Sequence, residues 1–141
     1  MTIKEIQDEI IDEFSMFDDW MQRYEYIIEL GKSLPLIKEE YKTDENLIKG
    51  CQSKVWLQGE QKDDKIVFTA DSDAILTKGI IAILIRAFSN QKASDIINAD
   101  TEFIDEIGLK EHLSATRANG LVSMIKNIKM YALAFDAKNK N

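Results

Sequence analysis

A single cysteine, a single histidine and a single proline in 141 residues set the first limits on this chain. One thiol cannot close an internal disulfide, and small secreted domains usually carry several, so a reducing compartment, the cytoplasm, is expected. One thiol and one imidazole also fall short of the roughly three or four nitrogen and sulfur ligands of a zinc or iron–sulfur site. No metal is expected on this chain alone. Long apolar runs are missing too: the longest, Gly79 to Ile85, is closed by Lys78 and Arg86, far short of the ~20 residues that cross a bilayer. The N-terminal stretch has acidic residues every few positions and no apolar segment of leader type, so neither a signal peptide nor a membrane helix is expected. Excess positive charge is also lacking. With 25 acidic against 18 basic side chains the net charge is −7, which offers phosphate backbones no electrostatic footprint and argues against nucleic acid as a partner.

What is present suffices for one core. A chain of this length with a 45% apolar fraction reads as one domain spanning residues 1–141. Thr2 and Glu5 form a capping-box pattern before Ile3, Ile6, Ile10 and Phe14, which recur at helical spacing. Ser15 and Asp18 repeat the pattern ahead of Trp20, Tyr24 and Ile27 or Ile28, and Gly31 stands where a left-handed helix cap belongs, with Pro35 beyond it. From Val55 the period changes to alternation: Val55 and Leu57, then Ile66 and Phe68 after a polar turn at residues 61–64, predict a β-hairpin. A lone hairpin is marginal in water, so Leu47 and Ile48 are expected to add part of a third strand. Asp71, Ser72 and Asp73 offer capping side chains to a helix from Ala74 to Phe88 that is apolar almost all round. Short helical pieces near 94–98 and 102–107, the latter stopped by Gly108, lead to a last long helix capped by Ser114. Lys126 and Lys129 read as its solvated face, and the poorly patterned tail after about residue 136 is expected to be disordered. The expected architecture is α+β, a small antiparallel sheet of about three strands covered by N-terminal and C-terminal helices.

Candidate chemistry is sparse. Gly31-Lys32-Ser33 resembles the end of a phosphate-binding loop, but Tyr26 occupies the place of its first glycine and a helix precedes it. Asp71 and Asp73 have the opening spacing of a calcium loop, yet Leu76 and Ala82 stand where its glycine and bidentate glutamate belong. His112 could in principle form a dyad with Cys51, although no motif links them. Cys51 is the distinctive residue. The segment Ile48-Lys49-Gly50-Cys51-Gln52-Ser53-Lys54 puts it in a polar turn before a strand, where Gly50 permits a positive φ and two lysines favour the reactive thiolate; the alternative is a buried small hydrophobe whose pKa burial would raise.

The run from Leu47 to Leu57 (LIKGCQSKVWL) resembles the signature of the SufE family of sulfur-acceptor proteins. Tyr24 to Pro35, Phe68 to Leu84 and Leu109 to Met124 resemble that family in order and spacing, so the similarity covers nearly the whole chain. The resemblance implies a SufE/IscU-like fold and a function as partner of a pyridoxal-phosphate-dependent cysteine desulfurase of SufS type. Cys51 would accept sulfur from the partner's persulfide, stimulate desulfuration of L-cysteine and pass the sulfur to an iron–sulfur scaffold complex of SufBCD type. The chain would hold no cofactor of its own, the pyridoxal phosphate belonging to the desulfurase, and would be a monomer or weak homodimer. Gly50, as pivot, with Gln52 and Ser53 would support the acceptor turn, while Asp71, Asp73 and Arg117 would serve partner docking. Competing readings are an iron–sulfur scaffold, which needs more ligands than one thiol, a sulfur donor for another cofactor, and a thiol enzyme built on Cys51 and His112.

Overall fold

A computed structural model describes residues 1–140. The capping box at Thr2 and Glu5 forms in full and starts α1 (Ile3–Ser15), whose buried face carries Ile3, Ile10 and Phe14. The next helix, α2 (Trp20–Gly31), begins later than Ser15 and Asp18 suggest, because Asp19 supplies the cap: its carboxylate accepts from the Gln22 N–H at 2.8 Å. Arg86 binds the first helix to the next, α3 (Ile75–Phe88), by hydrogen bonds of 2.7 Å to both Glu9 and Glu13.

The hairpin consists of β1 (Val55–Lys62) and β2 (Lys65–Ser72), antiparallel with Val55 opposite Ser72 and Lys62 opposite Lys65. Val55, Leu57, Ile66 and Phe68 all point into the core, as their alternation predicts. The sheet has two strands rather than about three. Leu47 and Ile48 do run beside β1, but their pairing shrinks to one bridge to Trp56 and one hydrogen bond from the Ile48 N–H to the Val55 carbonyl, 2.8 Å. The left-handed Gly50, at φ +93°, then turns the chain off the sheet edge before a ladder can form. On the other edge, Leu36 bridges Ala70 and Gln91 bridges Ile66, so short segments cover the open backbone of β2.

The most buried element is α3, with ten buried residues among its 14. Its predicted caps have other work: Ala74 occupies the N-cap without a side-chain bond, Ser72 accepts from the Ala74 N–H, and Asp73 turns back to the Lys54 amide while Asp71 pairs with Lys42. Three short helices, α4 (Ala93–Asn98), α5 (Glu102–Glu106) and α6 (Leu109–His112), with the left-handed Gly108 between the last two, lead to α7 (Ala115–Asn139). Ser114 caps α7, as expected. The segment after residue 136 continues α7 to Asn139, which bonds Gln61 at 3.2 Å. Lys129 does not belong to a solvated face: its ammonium donates to the Ile97 and Ala99 carbonyls at the end of α4, and burial lowers its pKa. Among the described residues, no helix is long and apolar enough to cross a membrane.

Candidate functional site

Cys51 lies in the turn between the Ile48 segment and β1, directly after the left-handed Gly50. A side chain at Gly50 would be strained by its φ, and its Cβ would meet the Ser123 Oγ at 2.7 Å. Glycine at that point therefore lets the turn lie flat on α7. Gly120 in α7 completes the approach: a Cβ there would lie 3.2 Å from the Cys51 Sγ, and the thiol faces the Gly120 carbonyl at 3.7 Å. Two glycines, one on each side of the contact, thus seat the cysteine against a helix.

The seat is one wall of a cleft of about 240 Å³. Cys51, Gln52 and Ser53 come from the turn, Thr77 and Ile80 from α3, and Thr116, Arg117, Gly120 and Met124 from α7. Ile80, Met124 and Thr77 are buried, whereas Gln52, Thr116 and Arg117 are exposed at the rim. Cys51 is half-buried, and its burial pushes the thiol above the ordinary cysteine range. The two neighbouring lysines do not reverse that shift: Lys49 is exposed, and charges in contact with water are screened.

The turn is held at its far end by Asp73. Its carboxylate accepts from the Lys54 N–H at 3.0 Å, and its own N–H donates to the Lys54 carbonyl at 3.2 Å. Asp71 is occupied elsewhere: Lys42 binds one oxygen at 2.6 Å and Lys78 the other at 3.4 Å, while the Ser72 N–H donates at 2.8 Å. Burial pushes the Asp71 carboxyl up, but the Lys42 and Ser72 hydrogen bonds and the charges of Lys78 and Lys42 outweigh it and hold it below the usual carboxylate range. Lys42 also sits over the Trp56 ring, 5.4 Å from its centroid, so Asp71 braces the strand that follows Cys51. Removing the Asp73 clamp frees the turn: Asp73→Ala is expected to lower global stability by about 1 kcal/mol, the worth of one such hydrogen bond. Hydrogen exchange would show faster exchange at the Lys54 amide, and unchanged protection there would contradict the clamp.

His112 is not part of this cleft. It stacks on Trp20, ring centroids 3.9 Å apart, and its Nδ1 lies 3.1 Å from the Gly108 carbonyl. Its ring is thus engaged away from Cys51, whose thiol pairs with the Gly120 carbonyl. Among the described residues, no three His, Cys, Asp or Glu side chains come together as a metal-binding group.

A family model described as SufE, Fe-S metabolism associated domain, matches residues 8–132. The chain belongs to the SufE family. Two relatives agree with this. A SufE-like protein of Rhizobium meliloti (strain 1021) is 46% identical over 130 residues, covering 89% of this chain and 93% of that protein. A SufE-like protein of Rhizobium etli is 46% identical over 127 residues, covering 86% of each. The solution structure of a hypothetical protein from Thermus thermophilus superposes with a TM-score of 0.76 over 92% of this chain and 94% of that one. At 13% identity it shows the fold alone.

On this SufE fold the residues predicted around the cysteine divide into two groups. Cys51, Gln52, Ser53 and Arg117 share the cleft, with Gly50 behind it, whereas Asp71 and Asp73 act outside it as braces. Sequence reasoning missed Gly120, Thr77, Thr116 and Met124. The helical spacing of three from Arg117 to Gly120 and of four from Gly120 to Met124 was the available signal that they share a face of α7.

Proposed function

We propose that this SufE-family protein is a sulfur relay that carries sulfur as a persulfide on Cys51. The observation that carries this reading is the seat of Cys51: the one thiol of the chain, placed by two glycines at the lip of a cleft, where burial raises its pKa. Such a thiol is quiet at rest. It becomes a nucleophile when the turn lifts from Gly120 and water or a partner's groups reach the sulfur, because desolvation is what raises its pKa.

The donor would be the cysteine persulfide of a pyridoxal-phosphate-dependent cysteine desulfurase of SufS type. The Cys51 thiolate attacks the terminal sulfur of that persulfide, forming a new sulfur–sulfur bond at Sγ. The donor's own sulfur–sulfur bond breaks, and its cysteine leaves as a thiolate. The proton on the transferred sulfur travels with it or passes to solvent, and no net oxidation occurs. Relief of the donor cysteine is how the protein would stimulate L-cysteine desulfuration, and an iron–sulfur scaffold complex of SufBCD type would be the receiver. The pyridoxal phosphate stays with the desulfurase, and the relay itself uses no cofactor. Arg117, with Lys49 and Lys54, presents unpaired positive charge around the turn for docking, Asp73 holds the turn in its resting place and Asp71 braces the strand behind it.

The test is direct. Incubation with a SufS-type desulfurase and L-cysteine is expected to add one sulfur to the intact protein, mapped by peptide spectrometry to Cys51, and Cys51→Ser is expected to abolish both the adduct and the rate stimulation. Absence of the adduct, with equal desulfurase rates for the two proteins, would sink the relay.

A further inference from the structure

Two groups in the cleft offer polar contacts beside Cys51. Thr77 is 7% exposed and lines the cleft, yet its hydroxyl takes part in none of the side-chain hydrogen bonds that hold the neighbouring turn and strand. Among the described residues no side-chain oxygen or nitrogen shut away from solvent lacks a partner, so the Thr77 hydroxyl, which lines the cleft without a protein partner, is open to solvent there.

The second group is Arg117. Its guanidinium forms no ion pair among the described residues, and neither do the ammonium groups of Lys49 and Lys54. Of these three cations, only Arg117 lines the cleft itself. An arginine fork suits a carboxylate in particular, since it offers two parallel N–H donors. The cleft, about 240 Å³, is of the size that takes a small ligand. That fits a small molecule, not a segment of folded protein.

We infer that this cleft is an acceptor subsite for a small carboxylate-bearing thiol of cysteine size, to which Cys51 hands its sulfur when no protein partner covers the opening. The inference rests on Cys51 as a persulfide carrier and adds a second exit for the sulfur. Arg117 pairs with the carboxylate at the rim, and the Thr77 hydroxyl donates to sulfur inside. The incoming thiolate attacks the outer sulfur of the Cys51 persulfide. A sulfur–sulfur bond forms on the small thiol, the bond to Sγ breaks, and Cys51 leaves as a thiolate that takes a proton from solvent. The product is a small-molecule persulfide, and no external oxidant or reductant is consumed.

The experiment charges Cys51 with inorganic polysulfide, so that no desulfurase is involved, and removes the excess. Loss of the extra sulfur is then followed by intact mass after adding 3-mercaptopropionate or cysteamine, which differ in carrying a carboxylate or an ammonium. Rates are divided by those on a linear peptide of residues 48–54 bearing the same persulfide, which cancels intrinsic nucleophilicity. We expect 3-mercaptopropionate to be preferred about tenfold, the preference to vanish in Arg117→Gln and to survive in part in Arg117→Lys. Thr77→Val, which preserves shape, is expected to slow transfer to either thiol several-fold. No preference in the wild type, a preference that persists in Arg117→Gln, or a wild-type rate in Thr77→Val overturns the subsite. If the desulfurase charges Cys51 but the small thiols show no preference, the subsite alone falls. If neither polysulfide nor desulfurase charges Cys51, the relay falls with it.

Discussion

Gly79→Ala is expected to destabilise the protein by about 3 kcal/mol or more. The sign is not the one that helix propensity suggests. Gly79 lies inside α3, and alanine in an exposed helix interior would gain about 1 kcal/mol over glycine. Here a Cβ would lie 2.1 Å from the Ile27 carbonyl oxygen and 2.7 Å from both the Ile27 carbonyl carbon and Cγ2. Two of those atoms are backbone of α2 and cannot rotate away, so the helices must separate. Separation uncovers Ile27, Ile80 and Ile83, each almost completely buried, and apolar area returned to water costs about 25 cal/mol per Å². The facing glycine, Gly31, is less constrained: its Cβ would meet the Gly79 nitrogen at 3.0 Å and Cα at 3.2 Å. Gly31→Ala is therefore expected to cost roughly 1 kcal/mol, a milder case of the same overpacking. Urea or thermal unfolding checks both. For Gly79→Ala the melting temperature should fall by about 10 °C, taking about 4 °C per kcal/mol for a chain of this size. A variant at least as stable as the wild type would show that α2 and α3 are not locked by backbone contact.

Gly31 shows what a sequence can and cannot convey. As a letter after an apolar helix and before Pro35 it predicts a left-handed cap, but its φ is not positive, and it is glycine because another helix backbone touches it. Local signals were legible where their partners are close in the chain. The Thr2–Glu5 box, the hairpin from Val55 to Ser72, the Gly108 stop and the Ser114 cap all involve neighbours, and all form. Signals whose partners lie far along the chain were not legible. Asp73 reads as a cap because it precedes α3, yet it commits its carboxylate to the Lys54 amide. Lys129 reads as solvated by periodicity, yet its reach to the Ile97 and Ala99 carbonyls depends on how α4 meets α7. The third strand failed for a local reason, the left-handed turn at Gly50, which ends pairing after one bridge.

For the site, the family motif located the thiol but not its surroundings. Nothing in the Leu47–Leu57 motif says that the cysteine rests on Gly120, some 69 positions later. The sequence leaves open whether its lysines lower the thiol pKa or burial raises it, and the seat against α7 makes burial the stronger influence. In the proposed relay, that difference would place control in the lifting of the turn, not in a permanently ionised sulfur.

The second large effect follows from that gate. In Gly120→Val the new side chain occupies the space of the Cys51 Sγ, since a Cβ alone would already be 3.2 Å from it. The α7 backbone is fixed by Leu121, Met124 and Ile128 in the core, so the turn yields rather than the helix. Cys51 then moves toward water, loses the desolvation that raises its pKa, and ionises more readily at neutral pH. The thiolate fraction rises as the pKa falls, so alkylation by iodoacetamide at about pH 7 is expected to accelerate. In the wild type the rate should climb with pH through a midpoint above the ordinary cysteine value, and in Gly120→Val that midpoint should move down. The linkage has a definite sign. Because folding raises the Cys51 pKa, its contribution to stability is complete below the unfolded thiol pKa and is lost as pH rises through the folded one. Cys51→Ala should thus flatten the alkaline fall in stability of the wild type, and Gly120→Val should flatten it for the same reason. Equal alkylation profiles for wild type and Gly120→Val would mean that the thiol is already free of α7 in solution, and the gate would have to be sought elsewhere in the turn.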